Sequence, residues 1–189
     1  TIADLRWLKA RGLVDAIRGR AEAGAFVLGI CGGYQMLGER VSDPDGVEDE
    51  GGASEVGLNL LPIETSFEAV KATRRVVGEV LGDAGAWGME GEAVSGYEIH
   101  MGQSLPIQGS DVSPLFTIDG RMDGARSADG HIAGTYLHGL FHNHVWRSGL
   151  LTALGRSPAS SHSDLGDRRE MAFDHLAEVI EESLDLDRL

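Results

Sequence analysis

The chain has a single cysteine, Cys31, among its 189 residues, and one thiol excludes an internal disulfide. No apolar run approaches the roughly 20 residues that a membrane-crossing helix needs. No basic, apolar, small-residue leader opens the sequence at Thr1. Together these absences make a reducing cytoplasm the expected location, with no membrane partner. Basic residues are scarce: 16 Lys and Arg stand against 30 Asp and Glu, a formal charge of −14. That field repels a phosphate backbone, so no nucleic acid partner is expected, and it disfavours any polyanion held far from a local cation. No G-x4-G-K-[ST] phosphate cradle occurs. No internal repeat or linker divides the chain, so residues 1–189 are expected to form one domain around one core.

What is present reads as helices at both ends of a strand-rich middle. "TIADLRWLKARG" predicts a helix capped by Thr1 or Asp4, with Leu5, Trp7 and Leu8 on its apolar face and Gly12 as its stop. "LVDAIRGRAEAG" predicts a second helix, "AFVLGI" a short buried strand, and "YQMLGERV" a helix presenting Met36, Leu37 and Val41 to a core. Residues 42–55 are acidic and rich in turn formers, and predict an exposed loop. Between Leu58 and Ile118, "LNLLPIET", "RRVVGEVLG", "GEAVSGYEIHMG" and "PLFTIDG" predict separate short strands. "HIAGTYLHGLF" predicts a strand ending near His138, "HVWRSGLLTALG" a helix, "RSPASSHSDLG" a loop, and the last segment an amphipathic helix capped by Asp167 or Asp164. The order implies an α/β layered domain.

Cys31 sits between the apolar run and a glycine cluster, in Gly29-Ile30-Cys31-Gly32-Gly33. This G-x-C-x-G is the thiol counterpart of the nucleophile elbow, where a strained strand-to-helix turn exposes the reactive atom and glycines permit close packing. A helix beginning just after Cys31 is expected to favour the thiolate, with the Gly32 amide offered to a developing oxyanion. The competing reading is a small buried apolar residue.

A thiol nucleophile needs a base, and the chain has seven histidines. In open α/β sheets reactive groups gather at the carboxyl ends of strands, which selects His138 at the end of "IAGTYLHG". His131 begins the same strand, His142 and His144 open a helix as caps or surface residues, and His162 and His175 fall in solvated segments. The His138, His142 and His144 spacing invites a metal reading. A strand at His138 removes the shared helix face, so no metal site is expected.

"GICGGYQMLG" resembles the nucleophile segment of the triad-type (class I) glutamine amidotransferases, and "GYEIHMG" with "GTYLHGLF" resembles the C-terminal amidotransferase domain of the cobyric acid synthase family. The opening "TIADLRWLKARGL" is similar to that family too, so the likeness covers almost the whole chain. It implies a layered, flavodoxin-like α/β domain from which the family's opening strands and a second oxyanion donor are missing before Thr1. It makes Cys31 the nucleophile toward the glutamine carboxamide, His138 the base, Gly32 the oxyanion donor, and Gln35, Tyr97, Glu98 and His100 substrate-binding residues. The alternative for Glu98 and His100 is a strand with polar side chains on one face. The implied partner is an ATP-dependent synthetase domain in the same parent chain. ATP and Mg2+ are expected there, with no cofactor in this domain, and there ammonia amidates four side-chain carboxylates of the adenosylated cobyrinic acid a,c-diamide.

One departure stands out. Many relatives place a glutamate two residues after the histidine; here that residue is Leu140. The pair then works as a dyad, or another carboxylate such as Glu98, or one from a missing domain, orients the imidazole. Alternatives are an amidotransferase subunit of another ATP-dependent ligase of the cell-wall precursor type, a cysteine hydrolase, and a non-catalytic domain that retains the fold.

Overall fold

The computed structural model describes residues 1–49, 52–82, 89–157 and 165–184. Helices α1 (Ile2–Ala10) and α2 (Leu13–Glu22) meet at Gly12, whose φ of +69° makes the turn. Ile2 and Leu5 face inward from α1, but Trp7 is 54% exposed, with the Arg11 guanidinium over its ring. At 3.6 residues per turn, Trp7 lies about 200° around the helix from Leu5, so it cannot share the apolar face expected for it.

The strands form two sheets. The first runs β1 (Val27–Ile30), β10 (Ile132–Thr135), β9 (Ala125–Ser127) and β6 (Val112–Ser113), with β1 and β10 parallel. The second runs β11 (Leu137–His138), β5 (Ala93–Pro106), β4 (Ile63–Val80), β2 (Arg40–Ser42) and β3 (Ser54–Val56). β7 (Phe116–Ile118) pairs with β4 and β8 (Arg121–Asp123) with β7.

Several expected short strands are therefore one long antiparallel ribbon of β4 and β5. Its register breaks once: Ser66 faces Gln103 but Lys71 faces Met101, so residues 67–70 bulge out opposite Gly102. Gly102 has φ +84°, and a Cβ there would lie 2.5 Å from the Ser66 carbonyl oxygen. The bulge hides the alternation by which a continuous strand is read. The single strand expected through His138 is likewise two, because the chain crosses from the first sheet to the second at Tyr136.

The predicted loop at 42–55 is more ordered than its composition implies. The Asp43 side chain is fully buried and its carboxylate accepts the amides of Val47, Glu48 and Asp49 at 2.7, 2.8 and 2.8 Å. Arg6 and Lys9 of α1 reach Glu55 in β3.

Among the described residues two apolar clusters fill the interior. One packs Trp146 of α4 (His144–Ala153) against Phe116, with ring centroids 5.4 Å apart, and includes Leu137 and Leu140. The other joins Ile2 and Leu5 to Tyr34 and Leu37 of α3 (Gly32–Leu37), Ile63 and Tyr136. Val41, expected on a helix, is fully buried in this second cluster from β2. Helix α5 (Leu165–Ser183) exposes its apolar residues, among them Met171, Phe173 and Leu176. Asp167 lies inside α5 rather than capping it; Asp164 and His162 lie outside the described residues.

Candidate active site

β1 delivers Cys31 to the end of the first sheet. Ile30 pairs with Thr135, the Cys31 amide donates to the Thr135 carbonyl at 2.9 Å, and the chain turns at once into α3. Cys31 has φ 55° and ψ −114°, a conformation that a side chain with Cβ rarely adopts. Such strain costs on the order of 1–3 kcal/mol and persists where neighbours fix it. Gly29 is one of those neighbours: a Cβ there would stand 2.7 Å from the Gly33 backbone and from Leu37, so only glycine lets the helix pack this close.

Burial pushes the Cys31 thiol above its ordinary pKa, while the Gly32 amide draws it back in part. This reverses the expected bias toward thiolate. α3 is a single six-residue helix, and its terminal amides do not outweigh the loss of water around the sulfur. The resting group is a thiol, donating to the Ile99 carbonyl at 3.4 Å.

A cavity of about 240 Å3 opens beside the sulfur, lined by Gln35, Phe67, Lys71, Ile99, His100 and Met101 together with Thr1, Val47 and Glu48. Gln35 is buried, and its side-chain amide is fully engaged by the protein. It donates to the Met101 carbonyl at 3.0 Å and the Tyr136 hydroxyl at 3.2 Å, and accepts from the Thr1 hydroxyl at 3.1 Å. Gln35 thus pins the elbow helix to β5 and forms the cavity wall.

His138 comes from the second sheet, beside the elbow strand, and is not among the residues that line the cysteine cavity. It pairs with Tyr97 across β11 and β5, and the two rings stack at 5.1 Å with planes 9° apart. Its Nε2 is buried and has no hydrogen-bond partner among the described residues. Tyr97 and Ile99 are two residues apart on one face of β5, about 7 Å along the strand. The strand therefore carries His138 beside Tyr97 and Cys31 against the Ile99 carbonyl, at adjacent positions. No hydrogen bond joins Cys31 to His138 in this conformation.

The structure parts the remaining "GYEIHMG" residues. Ile99, His100 and Met101 border the cysteine cavity; Tyr97 and Glu98 do not. Glu98, expected with the substrate, points to the other face of β5, 1% exposed, where Arg74 and Arg121 ion-pair with it. There it lines a second cavity of about 390 Å3 with Tyr34, Ser104, Asp123 and Tyr136. His100 borders both cavities and stacks on Tyr136 at 3.8 Å. Glu98 pairs across the sheet with Leu137, not His138, so it does not take the place of the orienting glutamate. Leu140 is fully buried in the apolar core.

Two features escaped the sequence. Asp123 is buried, and its carboxyl is raised by burial although the Thr135 hydroxyl and Tyr136 amide donate to it. The Thr135 hydroxyl oxygen also accepts the Leu137 amide at 2.9 Å, so this cluster fixes the crossing that aims His138. Phe67 in the bulge and Lys71 just after it line the cysteine cavity, and no periodicity marks them.

Residues 1–146 match the CobB/CobQ-like glutamine amidotransferase domain. The chain belongs to that family. Along its whole length it is 46% identical to the cobyric acid synthase of Xanthobacter autotrophicus, over 191 residues. It is likewise 40% identical to that of Dehalococcoides mccartyi, over 200 residues, and 41% to that of Geobacillus kaustophilus, over 194. The chain spans 37%, 39% and 37% of these relatives, little more than a third of their length. Two solved structures share the amidotransferase fold at low identity. A glutamine amidotransferase crystal structure superposes with TM-score 0.54 and 17% identity over 79% of this chain and 72% of its own. PurLQS from Thermotoga maritima gives 0.55 and 18% over 75% and 68%. The expected class I amidotransferase fold is therefore the fold observed. No helix among the described residues is long and apolar enough to cross a membrane.

Proposed function

We propose that this amidotransferase chain is the glutamine-hydrolysing part of a cobyric acid synthase. The observation that carries the reading is the strained Cys31 beside a cavity walled by Gln35 and β5, with His138 delivered to the same strand. Because Cys31 rests as a thiol, attack on the glutamine carboxamide requires a base. His138 takes the thiol proton through Nε2 as the sulfur bonds to the carbonyl carbon, an approach that tightens when substrate fills the cavity. The Gly32 amide faces the developing oxyanion. The proton passes to the departing nitrogen, which leaves as ammonia with a thioester on Cys31. Water activated by His138 then cleaves the thioester to glutamate and the free thiol.

The ammonia passes to a synthetase region accounting for the remaining length of such relatives. With ATP and Mg2+, that region supplies an activated carboxylate of the adenosylated cobyrinic acid a,c-diamide, amidated at four positions in turn. This division suits the charge of the chain, since the polyanionic corrinoid need not touch a surface of formal charge −14. Reaction with a diazo-ketone analogue of glutamine, followed by peptide mapping, tests the reading. The expected result is an adduct on Cys31 that excess glutamine suppresses and Cys31→Ser abolishes; an enzyme active with ammonia yet inert to the analogue would refute it.

A further inference from the structure

The cavity beside Cys31 carries one side-chain ammonium and one side-chain carboxylate that the hydrolytic steps do not use. Lys71 lines it from β4 and Glu48 from the turn built on Asp43. Lys71 pairs directly with Met101 across the ribbon, so its side chain shares the face of Met101 and Ile99, both of which border the cavity. Its side-chain ammonium has no ion pair or hydrogen bond among the described residues. Its position follows from the bulge. Without the additional residues of 67–70 the β4 register would shift, and Gly102 is what lets the bulged backbone lie against β5. Bulges beside active sites commonly re-aim a side chain in this way.

Glu48 is oriented rather than free. One carboxylate oxygen accepts the Ile2 amide at 2.9 Å and the other accepts from the Thr1 nitrogen, which leaves further lone pairs on both oxygens. A carboxylate and an ammonium on the walls of one small cavity are the complement of a zwitterion. In a chain of formal charge −14, an anionic head group binds only where a local cation offsets the general field.

We propose that Lys71 and Glu48 are the head-group subsite for glutamine, Lys71 receiving its α-carboxylate and Glu48 its α-ammonium. The proposal rests on reading the cavity as the glutamine pocket. It makes the pair determinants of specificity: they select a free α-amino acid over other primary amides and leave the carboxamide for Cys31. Charge-assisted bonds of this kind discriminate by about tenfold or more against a ligand lacking one charge.

Ammonia release by the full-length enzyme, with glutamine, 4-aminobutanamide (no α-carboxylate) and 4-carbamoylbutanoate (no α-ammonium), tests this. Lys71→Met is expected to raise the KM for glutamine by about tenfold or more, with kcat changed far less, and to erase most of the preference over 4-aminobutanamide. Lys71→Arg should restore that preference. Glu48→Gln, which can still accept the Ile2 amide, should erase the preference over 4-carbamoylbutanoate. Preferences that survive both charge removals overturn the proposal while Cys31-dependent hydrolysis stands; a wild-type enzyme that hydrolyses none of the three amides overturns the glutaminase reading and this subsite with it.

Discussion

The imidazole of His138 lies face to face on the phenol ring of Tyr97, with centroids 5.1 Å apart. With Leu140 two residues on and Glu98 held by two arginines on the other face of β5, this stack is what holds the imidazole proposed as the base. Tyr97→Ala is expected to lower kcat for ammonia release by about 10–100-fold. Tyr97→Phe, which keeps the ring, should stay near wild type. An alanine variant with unchanged kcat would assign the orientation to another group.

The raised Cys31 thiol sets a pH dependence. The thiolate fraction grows only as pH climbs through a pKa above the ordinary cysteine value, so alkylation of the substrate-free enzyme by iodoacetamide should be slow at pH 7 and accelerate through the alkaline range. A rate already at its plateau at pH 6 would indicate a resting thiolate and contradict the proton transfer to His138.

Cys31→Ala should abolish glutamine-dependent amidation by the full-length enzyme yet spare synthesis from added ammonia. The two activities are assigned to different regions. Assays with each nitrogen source decide it, and equal loss with both would contradict the division.

Burial works to raise the Asp43 carboxyl, but the amides of Asp49, Glu48, Val47 and Gly46 outweigh it and hold the group below the ordinary carboxylate value. A depressed folded-state pKa stabilises the protein above the unfolded value, and that contribution disappears as pH falls through the folded one. Asp43→Ala should therefore lower Tm by several degrees at pH 7. The gap between variant and wild type should narrow in acid, as thermal melts across pH would show; a constant gap would mean that packing, not charge, holds the turn.

The elbow was legible because its chemistry is local: Gly29, Cys31 and Gly32 encode a strained turn within a few residues. The helices were legible from spacing and glycine stops rather than from caps, since Thr1 makes no side-chain cap bond and Asp167 lies inside α5. What stayed hidden is what distant segments do to one another. Trp7 looked like core until Ile2 and Leu5 defined the inner face of α1. Asp43 looked like loop until three amides closed on its carboxylate. The long β4 read as two strands because four residues bulge opposite Gly102, and those residues bring Phe67 and Lys71 to the cavity. "GYEIHMG" alternates polar and apolar, but the alternation does not say which face meets the sulfur, and Glu98 faces the other cavity.

The crossing at Tyr136 gives the proposed catalytic pair a mechanical character. Sulfur and imidazole ride on separate sheets, tied by the Gln35 clasp on Met101 and the Asp123 brace at Thr135. Any shear between those sheets alters the sulfur-to-nitrogen gap directly. On the proposed reading, a neighbouring domain that slid one sheet against the other would set the rate of glutamine hydrolysis without touching either reactive atom.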